Sequence, residues 1–123
     1  METTNRRLYL KSMPFVACDV RDTAALTTTL QTHAVDAVVH FAGLKAVGES
    51  VAQPLRYFDN NVGSTLALLQ AMDRANVRRI VFSSSATVYG DASVPPWNEH
   101  VPTSPANPYG QSKLMVDQIM ADV

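Results

Sequence analysis

The chain has 123 residues, 46% hydrophobic and 17% charged: enough for one domain with a core, and too apolar for a disordered segment. The formal charge is −1, and Lys and Arg come no denser than the pairs Arg6-Arg7 and Arg78-Arg79, which argues against a nucleic-acid or anionic-membrane partner. No apolar stretch approaches membrane-spanning length, the first residues carry no signal-peptide pattern, and a single cysteine excludes an internal disulfide; Cys18 is expected to be a reduced, buried thiol in a cytoplasmic protein.

In chain order, residues 1–13 form a basic-polar stretch of no recognisable purpose. The apolar run Phe15-Val16-Ala17-Cys18 then predicts a first strand. Asp22 is a good N-cap for a helix running through Leu26 and Leu30 to about His33. A second strand is expected at Ala37-Val38-Val39-His40-Phe41. Pro54 opens a long helix ending near Asn76, whose stripe Leu55, Phe58, Val62, Leu66, Leu69 and Met72 keeps three-and-four spacing. Tyr57, Ser64, Leu68, Ala71 and Ala75 make a second, milder apolar face, available for a partner. Ile80-Val81-Phe82-Ser83 predicts the third strand. Four prolines between Gly90 and Pro108 mark an ordered loop, and a last helix runs from Pro108 to the C-terminus. The fold class is therefore α/β: a doubly wound parallel sheet of three strands alternating with helices.

The chemistry-bearing set is Ser85, Tyr109 and Lys113. Four residues is slightly more than one helical turn, so Tyr109 and Lys113 project from one face. A phenol with a pKa near 10 is a poor base at neutral pH, and an adjacent ammonium favours the phenolate. Bringing a phenol to about 7 takes roughly 4 kcal/mol of differential stabilisation. A tyrosine beside a solvated lysine is the competing reading of the pair alone. Ser83-Ser84-Ser85-Ala86-Thr87 follows a strand, where open α/β sheets place ligands. There Ser85 can hold a substrate hydroxyl near Tyr109, or simply cap local backbone. His40-Phe41-Ala42-Gly43-Leu44-Lys45 ends the preceding strand, with Gly43 allowing close backbone approach to a ligand and Lys45 supplying charge. Asp19 reaches the same rim, as a ligand acceptor or a mere turn former, and Asn60 is a polar residue inside a helix.

Taken together, these residues resemble the extended short-chain dehydrogenase superfamily and, within it, the UDP-glucose 4-epimerase family. The resemblance rests on the segments from His40 to Val51, from Phe82 to Asp91 and from Tyr109 to Val116, and spans about Phe15 to Val123. It implies that residues 14–123 are part of an NAD-binding Rossmann domain, and that Tyr109 is the catalytic acid/base with Lys113 and Ser85 as catalytic partners. Asp19 and Val20 would meet the adenine, Phe41, Ala42, Gly43, Leu44 and Lys45 would line the NAD, and Asn60 would touch its far side. Ser85, Tyr109 and Lys113 would also contact the cofactor. Lys45, Ala46, Val47, Ser85, Ala86, Thr87 and Tyr109 would face the UDP-sugar, and no metal is expected. The implied reaction interconverts UDP-glucose and UDP-galactose by transient oxidation at C4. Dehydratase relatives carry an Asp-Glu pair just after the threonine of the serine segment, whereas Val88-Tyr89 follows Thr87 here. A homodimer through the helices at 54–76 and 108–123 is also implied.

Two departures qualify these expectations. No glycine precedes Gly43, so the glycine-rich phosphate loop with which family members begin is absent, and NAD binding is expected to be weak. The family strand order 3-2-1-4-5 would put the run at Phe15 apart from the other two strands, leaving them to pair with each other. A related sugar-nucleotide epimerase or reductase remains open, as does a non-catalytic fragment that associates through the Leu68 and Ala71 helix face.

Overall fold

The computed structural model describes residues 13–91 and 94–123, so the stretch 1–13 falls almost wholly outside it. Helix α1 is Thr23–Thr32, strand β1 Val38–His40, α2 Val47–Ala52 and α3 Pro54–Tyr57. A π-helical turn, Phe58–Gly63, leads into α4, Ser64–Arg74; β2 is Ile80–Phe82, a 3₁₀ turn spans Ala86–Tyr89, and α5 is Pro108–Asp122. The two strands are parallel, with Val38 opposite Ile80, Val39 opposite Val81 and His40 opposite Phe82.

Each strand is delivered by the same device. α1 ends with Ala34 at φ 47° and α4 with Asn76 at φ 56°. In both, the next valine donates back to the helix, Val35 N to Leu30 O at 3.0 Å and Val77 N to Met72 O at 2.8 Å. A second bond tightens each turn, Ala34 N to Gln31 O and Asn76 N to Asp73 O. This is the Schellman closure, in which a left-handed residue reverses the chain and an apolar residue beyond it packs on the helix it has left. Leu30, Leu68, Ala71, Met72 and Val77 consequently form one apolar cluster, with Val20, Leu26, Val35, Val38, Ala75 and Ile80 against it. α1 packs on α4, and α5 packs on the π turn, α2 and the 3₁₀ turn.

Three expectations are corrected. The run Phe15–Cys18 is not a strand, so two strands rather than three are present among the described residues. A strand needs a neighbour for its backbone N–H and C=O groups, and among the described residues β1 and β2 pair only with each other. Cys18, expected to be buried, is exposed as a result. The long helix at 54–76 is interrupted by the π turn, and burial does not follow the apolar stripe, of which Val62 and Met72 are buried and the other members half-buried or exposed. Leu55 and Leu66 of the apolar stripe are 82% and 43% exposed, whereas Tyr57, Ser64, Leu68 and Ala71 are buried. Small and hydrogen-bonding residues let the helix approach its neighbours closely, which outweighs apolar character. The Leu68 and Ala71 face is therefore closed to a partner.

Candidate active site

Helix α5 is capped by Asn107, whose side chain accepts from Gly110 N at 2.9 Å, and Pro108 supplies a first-turn residue that needs no donor. Its N-terminus docks tightly on the 3₁₀ turn. A Cβ at Gly110 would lie 2.8 Å from Thr87 O and 3.0 Å from Pro105 Cβ, so a side chain there would push Tyr109 away from Ser85–Thr87. Gly90 closes the other end of that turn at φ 63°, where a Cβ would collide with Ser104 O at 1.9 Å.

Lys113 is buried and ties α5 to the end of β2. Its Nζ donates to Ser83 O at 3.0 Å, lies 4.7 Å from the Phe82 ring centroid and 6.0 Å from that of Tyr109. One turn further on, Asp117 Oδ2 accepts from the Ser84 hydroxyl. Burial lowers the pKa of Lys113, and the Asp117 carboxylate partly opposes the shift. His40 is lowered too, first by burial and then by the nearby Lys113 charge. Ser85 caps the 3₁₀ turn, its Oγ accepting from Thr87 N at 3.2 Å and from Thr87 Oγ1 at 2.8 Å. Neither bond uses the Ser85 proton, which stays available for donation. Beside it Ala86, Thr87, Gly90, Asp91, Trp97, Ala106 and Asn107 line a concavity of about 200 Å³. A larger groove, about 950 Å³, lies between α4, β2 and the end of α5 and contains neither Ser85, Tyr109 nor Lys113. Ser85, Tyr109 and Lys113 line neither of the two; the smaller one adjoins Ser85 through Ala86 and Thr87.

Residues 41–47 leave β1 across the same rim, with Phe41, Gly43, Lys45, Ala46 and Val47 exposed and Ala42 and Leu44 half-buried. Two side chains from the α3–π segment pin this loop. Asn61 Oδ1 accepts from Leu44 N at 2.7 Å, its Nδ2 donates to Leu44 O at 3.0 Å, and the Tyr57 hydroxyl accepts from Ala46 N at 3.0 Å. Tyr57 in turn donates to Glu49 Oε2 at 2.8 Å, and Glu49 also pairs with Arg56. Burial, then the Glu49 bond, raises the Tyr57 phenol. Asp19 lies on a segment outside any strand and is joined to the π turn through Arg21. Arg21 bonds its carboxylate at 2.8 Å and spans to Asp59 at 2.9 Å, next to Asn60 on the π turn. Hydrogen bonds from Arg21 hold the exposed Asp19 carboxyl at about 2, so it stays ionised. Val20 packs on the apolar cluster.

Sequence reading singled out Asn60, which is only half-buried; the interlocked residue is its neighbour Asn61. No signal in the sequence marks Tyr57, Thr65, which bonds His40, or Ser112, which bonds Asn61, as a site-builder; for Asn61 the signal was the pair Asn60-Asn61 in the middle of an otherwise regular helix.

A family model described as GDP-mannose 4,6 dehydratase matches residues 2–123. The chain belongs to that family. Within the GDP-mannose 4,6 dehydratase family, its similarity runs strongly to epimerases. It is 57% identical over 108 residues to the UDP-glucose 4-epimerase of Yersinia pestis, an alignment covering 87% of this chain and 32% of that protein. The UDP-glucose 4-epimerase of Bacillus subtilis is 49% identical over 113 residues, 92% of this chain and 33% of the relative. Among solved structures, a UDP-glucose 4-epimerase from Stenotrophomonas maltophila with bound NAD and formylated UDP-arabinopyranose superposes with TM-score 0.84 at 51% identity, covering 88% of this chain and 32% of that one. The Bifidobacterium longum epimerase, in complex with NAD+ and UDP, gives 0.83 at 53%, covering 87% of this chain and 32% of that one. The chain thus spans about a third of the length of the relatives it matches, and its architecture is a partial α/β Rossmann fold.

Proposed function

We propose that this chain carries the NAD-binding and proton-transfer part of a sugar-nucleotide 4-epimerase that interconverts UDP-glucose and UDP-galactose. The observation behind this is the placing of Tyr109 and Lys113 on one face of α5. The buried ammonium is anchored to Ser83 O, 6.0 Å from the Tyr109 ring centroid. The 51–57% identity to UDP-glucose 4-epimerases, two of them solved with NAD or NAD+, supports the reading.

The residues at the rim fit a dinucleotide by their chemistry. Asp19 offers an ionised acceptor for an amino group, and the Gly43–Ala46 backbone is held open by Asn61 and Tyr57. Asn60 and the segment Phe41–Lys45, of which Phe41, Gly43 and Lys45 are exposed, would meet the dinucleotide as well. Bound NAD supplies a hydride acceptor and donor at C4 of the sugar. Tyr109 Oη removes the 4-hydroxyl proton as the C4–H bond breaks and returns it when the C–H bond re-forms on the other face of the sugar. Lys113 favours the phenolate by its charge. Ser85, its proton uncommitted, donates to the sugar 4-oxygen and orients it. Ala86 and Thr87 of the small concavity would accommodate the sugar nucleotide together with Lys45, Ala46 and Val47. Val88 follows Thr87 and is buried in the 3₁₀ turn, leaving no acidic pair there for dehydration.

Residues 14–123 then form the NAD-binding unit of a cytoplasmic enzyme. Among the described residues no helix is long and apolar enough to cross a membrane. The helices at 54–76 and 108–123 offer a homodimer face, but through exposed Leu55 and Leu66 rather than Leu68 and Ala71; a strictly monomeric chain in sedimentation would remove that part.

The deciding experiment is NAD titration followed by turnover with UDP-galactose. We expect NAD to bind and Tyr109→Phe to abolish turnover while leaving that binding within about twofold. Retained turnover in Tyr109→Phe would take Tyr109 out of its role.

A further inference from the structure

Asn61 is 3% exposed and stands on the π turn with all three polar sites of its amide engaged. Its oxygen accepts from Leu44 N at 2.7 Å, one N–H serves Leu44 O at 3.0 Å, and the other serves Ser112 Oγ at 3.0 Å. Ser112 is fully buried on α5, between Tyr109 and Lys113 in sequence. A hydroxyl has one proton, and Ser112 donates it to Tyr109 O at 2.7 Å, so towards Asn61 it can only accept. The chain of donors therefore runs one way, from Asn61 through Ser112 to the Tyr109 carbonyl, and the orientation of the amide is fixed at both ends. The Asn61 carbonyl is held as well, accepting from Thr65 Oγ1 at 2.8 Å.

We infer that Asn61 is a positioning residue: it locks the strand-end loop at Leu44 to the proton-transfer helix through Ser112, setting the separation of the dinucleotide-lining loop from Tyr109. This rests on the function proposed above for those two elements, but the coupling itself is a property of the apoprotein. A half-buried loop 17 residues away and a buried helix position 51 residues away meet on one side chain. No other hydrogen bond described here joins the loop at Leu44 to α5. The π turn matters to the lock, because an extra residue in the turn shifts the helical register where Asn61 projects.

Ser112→Ala tests the lock from the far side, since Ser112 shares a bond with Asn61 but none with Leu44. Hydrogen exchange of the Leu44 amide in the cofactor-free chain is expected to rise about tenfold in Ser112→Ala and more in Asn61→Ala, with the amides of α1 unchanged. In the holoenzyme, Ser112→Ala should lower kcat about tenfold and move KM for the sugar nucleotide less than twofold. General loosening would instead raise exchange throughout and disturb KM with kcat. Leu44 exchange unaltered in Ser112→Ala would overturn the coupling, as would a kcat within twofold of the parent. Should Asn61→Ala fail to fold, Asn61→Asp replaces it: it keeps the acceptor for Leu44 N, loses both donors, and is expected to reproduce the Ser112→Ala exchange pattern. If the unsubstituted chain neither binds NAD nor turns over, the functional reading falls, while the exchange result still decides the lock.

Discussion

The interior divides into two unlike regions. Between α1, α4 and the strands it is apolar, built on Leu30, Leu68, Ala71, Met72 and Val77. On β1, the π turn, the start of α4 and α5 it is rich in polar groups, with His40, Asn61, Thr65, Ser112 and Lys113 buried alongside Val62 and Val116. Apolar burial is favourable but non-directional, so the first region supplies stability and tolerates small shifts. Buried polar groups are costly unless each donor meets an acceptor, so the second region has one low-energy arrangement. In it the Asn61 carbonyl can only accept, and so takes the Thr65 proton. His40 Nε2, 2.9 Å from the same hydroxyl, must then be the donor to it. Neutral His40 is thereby assigned the Nε2–H tautomer. A site that must place a phenol against a dinucleotide gains more from the second kind of interior than from the first.

Substitutions can break or sharpen that contrast. The largest effect is expected from Leu68→Ala, which should cost about 2–5 kcal/mol in denaturant unfolding through lost burial and a cavity. It should leave the Leu44 amide as protected as before, relative to global stability; selective loss at Leu44 would show that the two regions are not separate.

A smaller effect attaches to pH. The folded pKa of His40 lies below its ordinary 6.5 because burial, and then Lys113, penalise the imidazolium. Between that lowered value and 6.5 the unfolded chain binds more protons than the folded one, so stability must fall as pH drops through the window. Unfolding midpoints taken at pH 7.5 and pH 5 should show the loss, and His40→Gln should flatten it. An unchanged slope in His40→Gln would assign the acid sensitivity elsewhere.

The smallest change is expected at the surface. Arg21 and its partners Asp19 and Asp59 are roughly half or more exposed. Arg21→Ala should therefore leave the unfolding midpoint nearly unchanged. Its mark should be on NAD affinity instead, since Arg21 orders Asp19 at the rim; affinity within twofold of the parent would remove Asp19 from the adenine site.

Much of this was legible in the residues alone. The Asp22 cap, the strands around Val38–His40 and Ile80–Phe82 and the Pro108 helix start all follow from local rules of capping and period, which act over a few neighbours, whereas the pairing of the two strands was implied by the family's strand order. So did the placing of Tyr109 and Lys113 on one face, because a helix fixes that geometry by itself. Tertiary structure alone decided which face of the 54–76 segment is buried. There, hydrogen bonds from Tyr57, Asn61 and Thr65 to residues distant in sequence outweigh the apolar stripe at Leu55 and Leu66. It also decided that Phe15–Cys18 is no strand, since a strand exists only through its neighbour, and that Asn61 rather than Asn60 is the interlocked residue, since the π turn sets which amide points inward.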